Sequence, residues 1–329
     1  MLTIGDNMKR RAYLGFFLLT GLAATTITHA AAYPEKIVRI LVPSIAGSAP
    51  DIIARQVAER LTASWKQQVI VENKPGGNGI VAMNALRQSP PDGYTLGLFH
   101  AAAAVITPMM YKEAKFDIQR DTDVASTLAY TPMMFVAGPK SGYQSLADVL
   151  KAGKATPDTV AIGSPNRGSV PHLTAEMLGQ LQNTTFRQVN FSGTTQALQA
   201  VVNGDVPVYV DGIAPLVPLV RAGRLKALAV TSDTALPGLQ SIPLAKEAAP
   251  GLTVKGWFAL FSPKGTPTAV LDEVNSAVSR TLEQAAFVGR LKDLGTYPMA
   301  LGREASVRFV QDEKARWERV IKEAGVKPE

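Results

Sequence analysis

The sequence predicts an α/β fold of two lobes, with mainly parallel sheets flanked by helices and a ligand cleft between the lobes. Short apolar runs of strand length alternate with segments of helical period through most of the 329 residues. The alternation begins a second time near Met133, and it later returns to a strand followed by three helices. Repeated strand and helix order is typical of parallel sheets covered on both faces, and the interruption is typical of an inserted lobe.

The first lobe begins with three strands and two helices. In its first helix, Ile53, Val57 and Leu61 form one apolar stripe, which indicates an amphipathic helix. A Pro-Asp-Gly turn at 91–93 precedes the third strand. The predicted elements are strand 36–42, helix 51–61, strand 68–72, helix 79–87 and strand 94–98.

The second alternation fills the middle of the chain. Its elements are strand 133–137, helix 146–152, strand 159–162, a helix over 170–181, strand 186–189, helix 194–203, strand 206–210 and strand 225–230. The chain then returns through strand 254–261 and ends in helices over 267–285, 287–294 and 303–324.

The chain is expected to cross between the lobes twice, near 130–133 and near 251–255. Lobe 1 is therefore predicted over 33–131 and 255–329, and lobe 2 over 132–254. Two crossing strands make a hinge, and the cleft lies where the C-terminal ends of the strands of both sheets face each other.

The N-terminus has the pattern of a signal peptide, which we place at residues 1–32. Three basic residues at 9–11 precede the apolar run 12–24, which is too short to span a bilayer. Small residues follow, so that cleavage after Ala30 and cleavage after Ala32 both fit. The paired arginines leave the twin-arginine export route open. The mature protein is predicted to be periplasmic.

Composition narrows the classes of function. The formal net charge of +7 falls to about +5 without residues 1–32, and the basic residues are spread along the chain. A nucleic-acid binder needs a basic stripe with stacking aromatics, which this sequence lacks. The chain has 0 cysteines, which excludes disulfides, thiolate metal sites and lipid attachment through cysteine. We expect a monomer that is not inserted in a membrane and that needs no cofactor or metal.

Three junctions between a strand and a helix carry the functional prediction. Each is a turn rich in Gly, Ser and Pro, at 43–51, 163–172 and 190–195. A helix N-terminus has unpaired N–H groups and a partial positive charge, so it binds anions without a charged side chain. The junctions therefore predict an anionic ligand held between the lobes, as in a receptor.

The first junction offers the hydroxyls of Ser44 and Ser48 and the main-chain N–H groups of Gly47 and Ser48, which we expect to point into the cleft. Asp51 is placed to cap the helix, because a carboxylate in contact with the ligand would repel an anion. The predicted site residues here are Ser44, Ile45, Ala46, Gly47, Ser48 and Asp51.

In the second junction, Ser164 and Ser169 can donate to a carboxylate, and Ser169 is also a candidate helix cap. Arg167 either pairs with the ligand or lies solvated on the rim. His172 either orients this loop or is a structural histidine. The predicted site residues here are Ser164, Arg167, Gly168, Ser169 and His172.

In the third junction, Ser192 and Thr194 compete to cap the following helix, and the other hydroxyl stays free for the ligand. Asp211, after a later strand, either binds an amine of the ligand or forms a turn with Gly212. The predicted site residues here are Phe191, Ser192, Gly193, Thr194 and Asp211.

An enzyme needs catalytic groups, and few are available. Only His100 and His172 remain beyond residue 32, and no G-x-S-x-G motif is present. A hydrolase built on Ser164 or Ser192 with His172 is the weakest alternative. We expect no enzymatic activity.

Several short motifs are spread along the mature chain. They are Tyr33-Pro34, Ile40-Leu41-Val42-Pro43, Val71-Glu72-Asn73-Lys74-Pro75-Gly76, Pro91-Asp92-Gly93-Tyr94-Thr95-Leu96, Ile162-Gly163-Ser164, Ala197-Leu198, Asn203-Gly204-Asp205, Gly256-Trp257-Phe258 and Pro263-Lys264-Gly265-Thr266-Pro267. Over essentially the whole mature chain they resemble the Bug-type periplasmic receptors, the substrate-binding proteins of tripartite tricarboxylate transporters.

The resemblance implies a two-lobe, type II-like periplasmic binding protein that closes on a ligand and docks to a membrane transporter. It implies a small carboxylate, held by loop main chain, hydroxyls and bridging waters more than by arginine. The family's first loop usually reads Pro-Phe-x-x-Gly-Gly-x-Thr-Asp, and here Ser44 replaces the Phe, Ser48 the second Gly and Pro50 the Thr.

The function predicted from the sequence is that of a periplasmic receptor, which captures a small organic carboxylate and delivers it to the subunits of a tripartite membrane carrier. The alternative is a ligand sensor of the same fold that signals to a membrane partner.

Overall fold

The alternation of strands and helices predicted from the sequence is present in the computed structural model, which describes residues 33–328. The predicted signal peptide, residues 1–32, lies outside the described residues. Ten strands lie within them. The strands are β1 (Val38–Val42), β2 (Val69–Asn73), β3 (Thr95–His100), β4 (Thr122–Ala137), β5 (Ala161–Ser164), β6 (Arg187–Asn190), β7 (Val208–Gly212), β8 (Lys226–Val230), β9 (Lys255–Pro263) and β10 (Tyr297–Pro298).

Twelve α-helices connect or follow these strands in the described part of the chain. They are α1 (Ala49–Trp65), α2 (Ile80–Arg87), α3 (Thr107–Met110), α4 (Ile118–Asp121), α5 (Leu146–Ala155), α6 (Val170–Leu181), α7 (Thr194–Asn203), α8 (Ile213–Arg221), α9 (Ala245–Ala248), α10 (Thr268–Leu282), α11 (Ala285–Asp293) and α12 (Arg303–Glu323). None of these helices is both long enough and apolar enough to cross a membrane.

The strands form a mixed sheet in the order β2-β1-β3-β9-β4-β7-β5-β6, and β8 and β10 also pair with β4. The strands of the repeated strand and helix units are parallel, as predicted: β1 with β2 and β3, and β5 with β6 and β7. Every pair that involves β4 or β9 is antiparallel. The prediction of mainly parallel sheets therefore holds for the outer parts of the sheet and not for its centre.

The long strand β4 joins the two halves of the sheet. Its residues 122–132 pair with β9, whereas residues 133–137 pair with β7 and β8. The sequence predicted only the second part as a strand. Pro132 lies at the change of partner, where a strand tolerates the missing N–H group, and a proline normally argues against a central strand.

Thr231, directly after β8, ties together the two segments that cross between the sheet halves. Its buried Oγ1 accepts from the Met133 N–H at 2.9 Å and donates to the Val254 carbonyl at 2.7 Å. Its main chain also bonds to both segments, through Thr231 N to Met133 O and Val254 N to Thr231 O. One residue therefore links the two segments near which the sequence predicts the crossings between the lobes.

The apolar core continues from one half of the sheet to the other. The largest cluster of buried residues contains Phe99 of β3, Val210 of β7 and Trp317 of α12. Smaller clusters lie under α1 and α10, and under α7 and α8. Since the described residues form one compact unit, the boundaries of the two lobes stay a prediction.

Candidate functional site

One cavity of about 660 Å³ lies where strands from both halves of the sheet end. Its walls come from the residues after β1, β5 and β7, from the end of β3, from the middle of β4, from the start of β9 and from the loop before β10. Five of the residues predicted from the sequence line it. They are Ser44, Ser48, Ser169, Thr194 and Asp211.

The N-termini of four helices meet at this cavity. The lining includes Ala49 of α1, Val170 of α6, Thr194 of α7 and Ala214 of α8, each in the first turn. First-turn N–H groups have no partner inside their helix. Within residues 33–328, the N–H groups of Ala49, Val170 and Ala214 have no hydrogen-bond acceptor. The cavity therefore receives partial positive charge from main chain alone.

The main chain of the first junction differs from the prediction. The Gly47 N–H donates to Asp51 Oδ2 at 2.8 Å, and the Ser48 N–H donates to the Ile45 carbonyl at 3.3 Å. These two groups therefore serve the loop itself and do not point into the cavity. Ile45, Ala46 and Gly47 are exposed and lie away from the cavity wall.

Asp51 fixes the shape of this loop. Helix α1 begins at Ala49, so Asp51 lies in its first turn, and the cap position is Ser48 rather than Asp51. The carboxylate accepts from Gly47, from Asn73 Nδ2 at 2.9 Å and from Arg55 Nε at 3.1 Å. Burial alone would raise the pKa of Asp51, but the bonds from Arg55, Gly47 and Asn73 outweigh it and hold the pKa below its ordinary value.

In the second junction, Ser169 caps α6 as predicted, since its Oγ accepts from the His172 N–H at 3.3 Å. The Ser169 hydroxyl itself donates to the Asn166 carbonyl at 2.6 Å. His172 is buried, and its Nδ1 accepts from the Gly168 N–H at 3.2 Å while its Nε2 lies 3.5 Å from Glu176 Oε1. His172 therefore orients the loop from behind the cavity wall.

The serines of the hydrolase alternative are not paired with a base. Ser164 is buried, and its Oγ donates to Asn190 Oδ1 at 2.6 Å, which joins the ends of β5 and β6. Ser192 is exposed, and its N–H donates to Gln196 Oε1 at 3.1 Å. Within the described residues neither serine bonds to His172, so the required nucleophile and base do not form a pair.

The third junction also differs from the prediction. Neither Ser192 nor Thr194 caps α7, whose cap position is Gly193 without a side-chain bond. Thr194 Oγ1 instead donates to Asp211 Oδ2 at 2.8 Å. Phe191 and Gly193 lie away from the cavity wall. The Thr194 hydroxyl, which could have stayed free for the ligand, is therefore bound to the end of β7.

Asp211 links the end of β7 to the starts of α7 and α8. Its Oδ2 also accepts from the Tyr209 hydroxyl at 2.7 Å, and its Oδ1 accepts from the Gly212 N–H at 2.7 Å. Burial raises the pKa of Asp211, although these hydrogen bonds and that from Thr194 act in the opposite direction. No described cation pairs with this carboxylate. Asp211 and Gly212 both lie in β7, so the alternative of a turn formed by this pair is wrong.

A smaller cavity of about 230 Å³ adjoins the main one and shares Pro43, His100 and Asn166 with it. Arg167 and Gly168 line this side chamber rather than the main cavity. Arg167 donates to the Lys327 carbonyl at 3.3 Å, which connects this loop to the chain after α12.

Most of the predicted hydroxyl groups on the main cavity wall already donate a hydrogen bond within the protein. Each hydroxyl has one proton to donate. Ser48 donates to the Ile45 carbonyl, and Ser169 and Thr194 donate as described above. The Ser44 Oγ is buried and has no hydrogen-bond partner. Of the predicted hydroxyls on the wall, Ser44 is therefore the one without a hydrogen-bond partner.

The wall of the main cavity carries little side-chain charge. Within the described residues its lining contains no Lys or Arg. Burial lowers the pKa of His100 to about 4, so this ring is neutral at pH 7. Its Nδ1 accepts from the Ala103 N–H at 3.3 Å, which places the ring proton on Nε2. No group of three or more His, Asp or Glu residues in the described chain could hold a metal.

Sequence reasoning missed the N-terminus of α8 and the parts of the cavity wall that β4 and β9 contribute. The junction before α8, Gly212-Ile213-Ala214-Pro215, also contains Gly and Pro and lies at the end of a strand. Thr131 of β4 and Trp257 of β9 lie on the wall, but nothing in the sequence distinguishes them from core residues. Only the Gly and Pro pattern before α8 could have been recognised in advance.

The geometry can be compared with known proteins. The model of the family described as "Tripartite tricarboxylate transporter family receptor" matches residues 53–326. The chain belongs to this family. BugT of Bordetella pertussis is 28% identical over 324 residues, which cover 98% of this chain and 99% of BugT.

Two solved structures have the same fold as this chain. Rpa4515 of R. palustris, solved with adipate, has a TM-score of 0.78 and 28% identity, over 90% of this chain and 100% of that one. MatC of Rhodopseudomonas palustris, solved with bound malate, has a TM-score of 0.73 and 30% identity, over 88% of this chain and 100% of that one. The chain is therefore a solute-binding receptor with the two-lobe binding-protein fold.

Proposed function

We propose that this receptor captures a small organic carboxylate in the periplasm and delivers it to a tripartite membrane transporter. The observation that supports the carboxylate is the meeting of four helix N-termini at one cavity. Their free N–H groups can donate to a carboxylate, and their partial charges favour an anion. The ligands named for Rpa4515 and MatC, adipate and malate, are carboxylates too.

The bound carboxylate would contact the main-chain N–H groups of Ala49 and Val170 and the free hydroxyl of Ser44. Hydrogen bonds between an ionised acceptor and protein donors are about twice as strong as those between neutral groups. The ligand also gives the buried Ser44 Oγ the partner that it lacks. Closure of the cavity around the ligand would exclude water and strengthen these contacts.

Calorimetric titration with a panel of mono-, di- and tricarboxylates, each beside its neutral amide, tests the ligand class. We expect at least one acid to bind and its amide to bind at least ten-fold more weakly. Trp257 lies on the cavity wall, so its fluorescence should report the same binding. A folded protein that binds no acid of the panel would contradict the proposal.

The Ser44→Ala variant tests the placement of the carboxylate. A hydrogen bond to a charged group contributes about 1.5–3 kcal/mol, so the affinity for the acid should fall by roughly ten-fold or more. Ser64→Ala removes an exposed hydroxyl of α1 and serves as the matched control, with unchanged affinity. Equal affinities of the two variants would place the carboxylate elsewhere.

Delivery to a carrier is tested by uptake of the labelled acid in host cells without this gene. Uptake should be lost and should return with the wild-type gene, but not with a Ser44→Ala gene at low ligand concentration. Normal uptake by cells that lack the gene would show that this receptor is not needed for transport of the acid.

A further inference from the structure

The positive ends of the four helices are not equivalent. Asp51 lies in the first turn of α1, but Arg55 and Asn73 contact its carboxylate and Arg55 balances its charge. Helix α6 has no acidic residue in its first turn. Asp211, by contrast, bonds to the starts of α7 and α8 and has no cationic partner among the described residues. One side of the cavity therefore favours an anion, and the other side already holds a negative group.

The rest of the described cavity wall offers main-chain N–H groups but no cationic side chain for a second anion. No Lys or Arg lies among the described lining residues, and His100 carries no charge at neutral pH. Met133, Trp257, Phe258 and Leu294 form an apolar wall from β4, β9 and the loop before β10. An ionised carboxylate moved from water to such a surface loses its hydration without gaining a partner.

The cavity is also large for a short acid. A volume of about 660 Å³ lies within the range that holds drug-sized ligands. An apolar ligand body that covers the half-buried Phe258 and Leu294 would exclude water from this wall, and each buried methylene contributes about 0.8 kcal/mol.

We propose that the cavity selects a monocarboxylate with a bulky apolar body over di- and tricarboxylates. The single carboxylate lies at the starts of α1 and α6 beside Ser44, and the apolar body lies against Phe258 and Leu294. Asp211 acts as the specificity residue, because its charge repels a second carboxylate at the far side. This inference rests on the proposed function, since it narrows the class of ligand for the same site.

Hexanoate and adipate form a matched pair of probes, because they have the same chain length and differ by one carboxylate. Hexanoate should bind at least ten-fold more tightly than adipate, and hexanamide should not bind. From butanoate to octanoate the affinity should rise by roughly four-fold for each added methylene, which is the affinity equivalent of the burial of one methylene.

The outcomes separate this inference from the proposed function. Adipate or citrate binding as tightly as hexanoate would overturn the inference and leave carboxylate capture standing. No binding by any acid would overturn both. Equal affinities for hexanamide and hexanoate would show that the anion is not recognised. That result would overturn the proposed function and, with it, this inference.

The Asp211→Asn variant tests the specificity residue. The ratio of hexanoate affinity to adipate affinity should fall at least five-fold, because the repelling charge is gone. Loss of hydrogen bonds from Thr194 and Tyr209 would lower both affinities together and would not move this ratio. Asp205→Asn makes the same change in net charge at an exposed position off the cavity, so it should keep the wild-type ratio. An unchanged ratio of the two affinities in Asp211→Asn would show that Asp211 does not determine the specificity.

Discussion

Replacement of Asp51 by alanine should destabilise the loop that forms one wall of the cavity. The side chain is 2% exposed and accepts from the Gly47 N–H and from Asn73 Nδ2. Each of these two donors loses its partner at a cost of about 1–1.5 kcal/mol. Loss of the ion pair with the half-exposed Arg55 adds at most about 1 kcal/mol to this destabilisation. The free energy of unfolding should therefore fall by about 3 kcal/mol.

Thermal unfolding followed by circular dichroism measures this loss. For a chain of this size about 1 kcal/mol corresponds to roughly 2 °C, so the Tm of Asp51→Ala should fall by about 6 °C. Asp312→Ala removes an exposed carboxylate of α12 and should stay within about 1 °C of wild type. Equal Tm values for the two variants would refute the anchoring role of Asp51.

The same carboxylate predicts a pH dependence. Its pKa in the folded protein lies below the ordinary value, so the stability that Asp51 provides is complete above that value and is lost as the pH falls through the folded pKa. The difference in unfolding free energy between wild type and Asp51→Asn should therefore be constant from pH 5 to 8 and shrink below about pH 4. A difference that grows on acidification would contradict the sign of the shift.

Three further changes test other parts of the structure. Thr231→Val leaves two buried main-chain groups of the crossing segments without partners, so chemical denaturation should show a loss of about 2–4 kcal/mol. Gly79→Ala should lower the free energy of unfolding by about 3 kcal/mol, because residue 79 has a φ of +101° and the new Cβ would lie 2.6 Å from Ala103 Cβ. Gly142 has a φ of +79° with open space around it, so Gly142→Ala should cost only about 1 kcal/mol in the same assay. The pKa of His100 is lowered to about 4, so wild-type stability should decrease as the pH falls from about 6.5 to 4, and His100→Gln should show a flatter pH profile in that window.

The fold could be predicted wherever local signals agree. Helix α7 lies at the predicted residues, because an apolar stripe begins after a glycine and ends before Gly204. Helix α8 was missed because Pro215 and Pro218 suggest a break, although Pro215 lies in the first turn, where a proline costs no hydrogen bond. The first part of β4 was missed because Pro132 argues against a continuous strand.

Part of the lining of the main cavity was predictable from the sequence, but its hydrogen bonds were not. The three junctions that the Gly, Ser and Pro pattern indicated do contribute to the cavity wall. Whether a hydroxyl group is free to donate to a ligand depends on acceptors that are distant in sequence. Thr194 donates to Asp211, and Ser164 donates to Asn190. Loop N–H groups were expected to serve a ligand, yet a short polar turn satisfies its own donors first, as Asp51 does for Gly47.

The position of the cavity follows from the strand that joins the sheet halves. Helices α1 and α6 start at the ends of β1 and β5, which lie on opposite sides of β4 in the sheet. Their N–H groups can reach one carboxylate only while β4 and the return segment before β9 keep the two halves in register. The Thr231 hydroxyl bonds to both of these segments. The geometry of the proposed carboxylate site therefore depends on a buried threonine that is not on the cavity wall, and we expect Thr231→Val to weaken carboxylate binding as well as stability.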